Sequence, residues 1–451
     1  MKHELSRIKW RWLAPMTRKP WVLVIGLWGI LGGCASTEYL KNPKQRGLDF
    51  VCAVGDVTPT EAMVWLKATG PQPLTVQYGS DPLAKTFFTT DQIYSKPDTD
   101  YTVKINLTGL SPKTRYVYRA VVEGKQPGPL CQFVTAPSRD DFAQVVFVVG
   151  GDVRASFRPF TIMNEMYFAE PDFFLFVGDT IYADKGGTAE KLADYWGKYV
   201  ENRDPATQGF LAETSVYVMW DDHEVDSDFI STHPRMPIGR QAFFDYWPIR
   251  QNSEDPHRLY RVFQWGQAVE IFLLDTRQYR DPSTHTMLGE VQKRWLMDRL
   301  KASSAKVKFI VTSVPFSDPG KDKWGEYAEE RDEILDFIGK EGITGVAFLA
   351  TDAHHAAIAN VPGPLGLKEL IFGPLAATMN YKINSKDPRF EYFNDHYHNY
   401  GKITVRPNGG TLLLEVEWYG EGKMLLYRLV LERDASGNLV SLTSEQSRVL
   451  R

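Results

Sequence analysis

An α/β fold, with a small β-sandwich ahead of a mixed α/β domain, is what this sequence predicts, and three observations carry that expectation. Between Phe50 and Pro137, short runs that alternate apolar and polar residues are separated by Gly-Pro, Asp-Pro and Ser-Pro pairs. Past Pro137-Ser138-Arg139-Asp140 the pattern changes to fully apolar runs alternating with stretches of helical periodicity. Four of those apolar runs end in turns rich in aspartate and histidine. A chain of 451 residues also exceeds what one typical core organises, so two domains are the natural expectation.

In the first unit, residues 50–137, strands are expected at Ala62–Leu66, Leu74–Tyr78, Tyr101–Ile105 and Arg115–Arg119. Their period of two and their turn residues suit a sandwich of the immunoglobulin or fibronectin type III kind. Leu107 to Pro112, with Tyr116 nearby, resembles the fibronectin-type turn. In the second unit, residues 138–451, helices are expected at Pro159–Ala169, Thr188–Val200, Leu288–Lys301 and Tyr327–Lys340. Buried strands are expected at Val269–Leu274, Val307–Thr312 and Val346–Ala350, and Gly410–Trp418 with Met424–Leu431 reads as a closing β-hairpin.

Residues 1–34 read as an export signal rather than as part of the fold. Arg18 and Lys19 precede the apolar segment Trp21–Leu31, which is too short to span a bilayer as a mature helix. Leu31-Gly32-Gly33-Cys34 then resembles a bacterial lipobox, in which the cysteine is acylated and becomes the new N-terminus; an ordinary secretory signal with a chance cysteine is the alternative. A start at Met16 instead of Met1 would give a compact signal, and residues 35–49 form a polar tether. With Cys34 lipidated, Cys52 and Cys131 remain as an even pair, either a disulfide across the sandwich or two buried thiols. The net charge of −4 gives no electrostatic case for nucleic acid, and no protein partner is inferred.

The four acidic turns carry the chemistry. They are Gly150-Gly151-Asp152 after Val145–Val149, Gly178-Asp179-Thr180-Ile181-Tyr182 after Phe173–Val177, Trp220-Asp221-Asp222-His223-Glu224 after Val216–Met219, and Thr351-Asp352-Ala353-His354-His355 after Val346–Ala350. Asp152 and Asp179 are one βαβ unit apart, so their turns emerge side by side. Any single aspartate there could be a helix cap. Clustered like charges, however, repel unless a cation neutralises them, and hard oxygen with imidazole donors suits a site of two or three metal ions. Arg154 lies two positions after Asp152 and would either hold a phosphate oxygen or form a surface ion pair.

Trp220-Asp221-Asp222-His223-Glu224 and Leu274-Asp275-Thr276-Arg277-Gln278-Tyr279-Arg280, with Gly55-Asp56 and Trp65 in the first unit, resemble the PhoD-like phosphatases of the metallophosphoesterase superfamily from about Val51 onward. That resemblance implies a four-layer α/β/β/α catalytic domain and a phosphoesterase with a mixed centre, typically iron with calcium. It further implies that Asp179 bridges metals, that Tyr182 is a phenolate ligand to iron, and that Asp222 stands where the superfamily uses asparagine. His223 would be a general acid or phosphate donor, and Asp352 and His354 would fill the last histidine-containing motif. Two departures stand out: Gly151-Asp152 replaces a common serine-cysteine pair, and Thr351 replaces a glycine. A carboxylate at 152 is a harder ligand than a thiolate, so other divalent cations are compatible with the site.

The expected function is metal-dependent hydrolysis of phosphomonoesters through a metal-activated water, on an exported lipoprotein held to a membrane by Cys34. The alternatives are a phosphodiesterase acting on nucleotides or lipid head groups, and a non-catalytic surface protein with a structural metal cluster. Neither Ala35 nor Ser36 is the acidic residue that retains lipoproteins at an inner membrane, so attachment to the outer membrane is expected where there are two membranes. Cys34→Ser should release the protein from membranes, and labelled fatty acid that fails to incorporate at Cys34 would rule the anchor out.

Overall fold

The computed structural model describes residues 51–81, 83 and 85–446. Cys34, the signal and the tether therefore lie outside the described residues. Two large sheets face each other. The first has ten strands; its centre is Val145–Gly150, Phe173–Val177 and Ser215–Met219, paired in parallel and in that order. The antiparallel strands Asn399–Asn408, Thr411–Gly420, Met424–Arg433 and Leu439–Gln446 extend it on one side. The expected hairpin is thus part of a four-strand meander. The second sheet has seven strands, with Val269–Leu273, Val307–Val311, Val346–Ala350 and Lys368–Ile371 parallel at its centre.

Alternation along each buried strand builds the layers. In Phe173–Val177, Phe173, Leu175 and Val177 face the core between the sheets, while Phe174 and Phe176 face helices outside. The inner face packs directly across to the other sheet: the Phe147 ring meets Phe309 at 5.5 Å and Phe173 meets Trp265 at 4.7 Å. Helices Ile162–Tyr167, Leu192–Asn202, Pro205–Glu213 and Met236–Tyr246 contribute side chains to the core over the outer face of the first sheet. Helices Gly289–Ala302 and Ala328–Lys340 cover the second. The result is the expected four-layer α/β/β/α arrangement.

The N-terminal unit is a sandwich whose outer sheet holds Pro73–Gly79, Phe88–Thr89, Arg115–Val121 and Cys131–Val134, with Ile93–Tyr94 paired to the first of these. The Tyr116 hydroxyl accepts a hydrogen bond from the Ser111 amide at 2.8 Å, the tyrosine-corner contact of immunoglobulin-like folds. Its other sheet is not separate. Val51–Gly55, Ala62–Lys67 and Thr102–Leu107 complete the ten-stranded sheet, because Gly55 registers in parallel with Val216. The junction is further tied by the Trp65 indole donating to the Asp245 carbonyl at 2.7 Å and by the Arg250 amide donating to Asp56 at 2.7 Å.

Cys52 and Cys131 form a disulfide between the two layers of the sandwich, with a sequence separation of 79. Closing a loop of that length removes about 4 kcal/mol of unfolded-chain entropy in the loop-closure account. Cys131→Ser should therefore lower the unfolding free energy by about 2–5 kcal/mol in denaturant titrations under oxidising conditions, and reduced wild type should approach the variant.

Candidate metal centre

All four acidic turns converge. Those after Val145–Gly150, Phe173–Val177 and Ser215–Met219 leave neighbouring parallel strands of the first sheet, and Asp352 and His354 arrive from Val346–Ala350 in the second. The turns are sharp. Asp152, Asp179, Asp352 and His354 have φ of +62°, +51°, +57° and +55°, a conformation that non-glycine residues adopt rarely and that concentrates at functional sites. Backbone bonds knit the turns together: the Val153 amide donates to Asp179 at 3.0 Å and the Ala376 amide to Asp152 at 3.0 Å. Gly373, at φ +93°, passes so close that a Cβ there would lie 2.6 Å from Oδ2 of Asp152.

The ligand-type side chains fall into three overlapping groups. Asp152, Asp179 and His354 place one donor atom each within 4.8 Å of one another, as do Asp179, Asp222 and His223, and as do Asp221, Asp222 and Asp352. The first group adjoins Tyr182, whose hydroxyl lies 3.2 Å from Nε2 of His354. The Tyr182 ring stacks on the His223 ring at 4.1 Å between centroids. Asp179 belongs to the first two groups and Asp222 to the last two, so the donors form a chain.

The chain's own cations balance only part of this charge. Arg277, fully buried, donates Nε to Asp221 and Nη1 to Asp322 at 3.0 Å, and its Nη2 lies 4.0 Å from Asp222 and 3.9 Å from Asp352. Lys323 pairs with Asp352. The third group is thereby neutralised in part, since Oδ2 of Asp221 is still buried without a hydrogen-bond partner. Glu224 acts as a brace: it accepts from the Thr180 amide at 2.6 Å, the Thr180 hydroxyl at 2.7 Å and the Asp221 amide at 2.8 Å. Burial still pushes its carboxyl up to about 7.

The other two groups stay uncompensated. Both oxygens of Asp152 and Oδ1 of Asp222 are buried without a hydrogen-bond partner. Burial, then the Asp352 and Asp221 carboxylates, pushes Asp152 well above the usual range; burial with Asp222 and Asp221 does the same to Asp179. Asp222 is the exception: burial raises it, but Arg277 and His223 outweigh burial and hold it well below the ordinary value. Burial and the Asp179 and Asp152 charges push the Tyr182 phenol well up, so only a strongly charged cation would draw off its proton. Orphaned buried carboxylate oxygens beside imidazole nitrogens fit hard metal cations.

His223 is held differently from His354. Its Nδ1 is 2.7 Å from Asp184, and its Nε2 faces the cluster 4.0 Å from Asp179. Burial lowers its pKa, yet the Asp184 hydrogen bond and the Asp222 charge reverse that and leave it raised. In His354, Nδ1 is hydrogen-bonded to the Thr378 carbonyl, and burial lowers the pKa. The Arg154 guanidinium sits 5.9 Å over the Tyr182 ring with no carboxylate partner among the described residues. The surface ion pair considered for Arg154 is thus not found among the described residues.

Sequence reasoning quoted Arg277 within a motif without a role and missed Asp184, Asp322 and Lys323. Asp184 had a signal, standing two residues after Tyr182. Lys323 and Asp322 lie in a loop whose position only the fold reveals.

Comparison with known proteins agrees with the site. Its α/β/β/α sandwich, with donors at the ends of parallel strands, is the architecture of the metallophosphoesterases. The profile of the PhoD-like phosphatases matches residues 146–412 and that of the PhoD-like phosphatase N-terminal domain matches residues 33–137. The chain belongs to the PhoD-like phosphatase family, a family of metal-dependent phosphoric ester hydrolases. It is 24% identical to alkaline phosphatase D of Bacillus subtilis (strain 168) over 386 residues, covering 70% of this chain and 66% of that protein, slightly less than two thirds of its length. Among solved structures, PhoD superposes with a TM-score of 0.78 at 21% identity, over 88% of this chain and 92% of the other. The purple acid phosphatase PPD1 of yellow lupin gives 0.61 at 13% identity, over 86% and 75%. Both likenesses concern the fold.

Arg277 provides a direct stability test. Arg277→Ala leaves Asp221 buried without its cation, while Asp322 keeps Arg280, and removing one member of a buried pair costs about 3–5 kcal/mol. A drop of that size in unfolding free energy, measured by denaturant titration, is expected; a change under about 0.5 kcal/mol, the level of an ordinary surface substitution, would show that Arg277 is not the counter-charge.

Proposed function

We propose that this protein is an exported enzyme that hydrolyses phosphomonoesters in a bacterial cell envelope, at the outer membrane or the periplasmic face where there are two membranes. The observation that carries the reading is the pair of adjoining uncompensated groups that share Asp179. Asp152, Asp179, Tyr182 and His354 would hold one cation, and Asp179 with Asp222 a second. The family resemblance favours iron with calcium, and the carboxylate of Asp152 favours hard divalent cations over thiophilic ones. Metals bound there supply Lewis acidity towards the phosphoryl oxygens and a water or hydroxide for in-line attack.

The protein's own groups do the rest. Asp184 fixes the His223 ring so that Nε2 points at the cluster, where it can give a proton to the leaving oxygen. Arg154, with no acidic partner among the described residues, is available to a phosphoryl oxygen. Burial of the aspartates keeps bulk water from screening these charges. Export and an anchor at Cys34 complete the reading; the Cys52–Cys131 disulfide supports them, since such bonds persist in oxidising compartments.

Variants separate ligands from catalyst. Asp152→Ala, Asp179→Asn and Asp222→Asn should each lower bound metal, read by elemental analysis, together with turnover of a phosphomonoester. His223→Ala should retain most of the metal while kcat falls by about 10²–10⁴. Asp152→Cys should bind iron more firmly relative to calcium. Metal loss in His223→Ala equal to that in the aspartate variants would make His223 a ligand, and a chelator-insensitive wild type would defeat the metal mechanism. Paired assays on mono- and diester substrates test the substrate class.

A further inference from the structure

Tyr182 and Arg154 also line a second cavity, of about 180 Å³, whose other walls include Lys185, Lys198, Arg158 and Glu201. It adjoins the centre through Tyr182, whose ring covers the His223 imidazole and whose hydroxyl reaches His354. Four cations line it against one carboxylate. Arg158 is matched to Glu201 at 3.0 Å and Lys185 to Asp184 at 2.7 Å. Arg154 and Lys198 have no carboxylate partner among the described residues; Lys198 donates only to the Lys185 carbonyl, which leaves it two further donors. Gly186 forms part of the wall, and even a Cβ there would come no nearer than 4.0 Å to the Lys198 ammonium, so the loop leaves that charge open.

With Arg154 given to the phosphoryl oxygen, Lys198 remains as the uncompensated cation of this concave site and focuses positive potential in a cavity that shares Tyr182 with the centre. The volume is below the roughly 300–1,000 Å³ of pockets that enclose drug-sized ligands, so it suits one phosphate or carboxylate on a short carbon chain rather than a nucleoside. We propose that this cavity is a subsite for a second anionic group carried by the leaving group, which makes small doubly anionic phosphate esters the preferred substrates. The proposal rests on the phosphomonoesterase reading above.

The test uses metal-loaded full-length protein and matched ligands. Glycerol 3-phosphate and 3-phosphoglycerate share a three-carbon frame and differ in a carboxylate. Wild type should show kcat/KM about tenfold higher for 3-phosphoglycerate, the size of one charge-assisted contact, with the difference in KM. Lys198→Ala should bring the ratio of the two close to one, Lys198→Arg should keep it, and added salt should erode it. A wild-type ratio near one, or a ratio unmoved by Lys198→Ala, overturns the subsite. Calorimetric binding of 3-phosphonopropionate against ethylphosphonate reads the cavity without turnover. Tighter binding of the carboxylate-bearing ligand, lost in Lys198→Ala, upholds the subsite even if neither ester is cleaved; equal binding of the two overturns it. Failure of wild type to cleave either ester counts against the phosphoesterase reading alone.

Discussion

Concentrated negative charge at the meeting point of two sheets is the constraint on which the rest of this structure depends. Asp152, Asp179, Asp221, Asp222 and Glu224 are all buried, and Asp352 stands beside them. An isolated buried carboxylate is costly enough that it normally takes up a proton or finds a partner. Here the carboxylates divide by solution. Glu224 is satisfied by three donors from the second and third turns, one oxygen of Asp221 by Arg277 and Ser313, and Asp352 by Lys323. Asp152 and one oxygen each of Asp221 and Asp222 are left without a hydrogen-bond partner, and Asp179 lies between Asp152 and Asp222. The protein answers part of its charge internally and leaves the remainder as an attraction for cations.

That division requires both sheets. The uncompensated aspartates come from three adjacent strands of the first sheet, whereas Asp352, His354 and Arg277 come from strands of the second. Their relative position is set by the apolar layer between the sheets, in which Phe147, Phe173, Phe309 and Trp265 interlock. Close packing resists displacement, so the apolar layer fixes the spacing of donors on opposite sheets. The sandwich joins the same frame, because its inner sheet continues the ten-stranded one and its Asp56 fixes the chain at Arg250. It acts as a buttress to the sheet that carries three of the four turns.

Legibility in the sequence followed local pattern. Fully apolar runs such as Phe173–Val177 and Val346–Ala350 are visible because both faces of a central parallel strand are buried. The acidic turns are visible because they follow those runs directly. Strands such as Asn399–Asn408, with polar residues interspersed, and Ala356–Asn360, built on alanine, carry weaker patterns and passed unrecognised. Helix Pro205–Glu213 is short and nearly all buried, so it lacks the polar face that marks amphipathic helices. The pairing of Gly55 with Val216 was beyond reach for another reason: 161 positions (216 − 55) separate the two residues, and no local signal announces a sheet shared between domains. Arg277 and Lys323 went unassigned because a counter-charge is defined by what it faces, and facing is a property of the fold.

Asp184 shows how closely the parts of the centre depend on one another. One oxygen holds Nδ1 of His223, and the other holds Lys185 at the edge of the basic cavity. Burial raises this carboxyl, but the two cationic partners prevail and it stays ionised. An ionised Asp184 favours the protonated imidazole, and the imidazole in turn is stacked under Tyr182, which reaches His354 in the first donor group. Proton holding, ligand placement and the charge of the neighbouring cavity therefore share a single short chain of contacts.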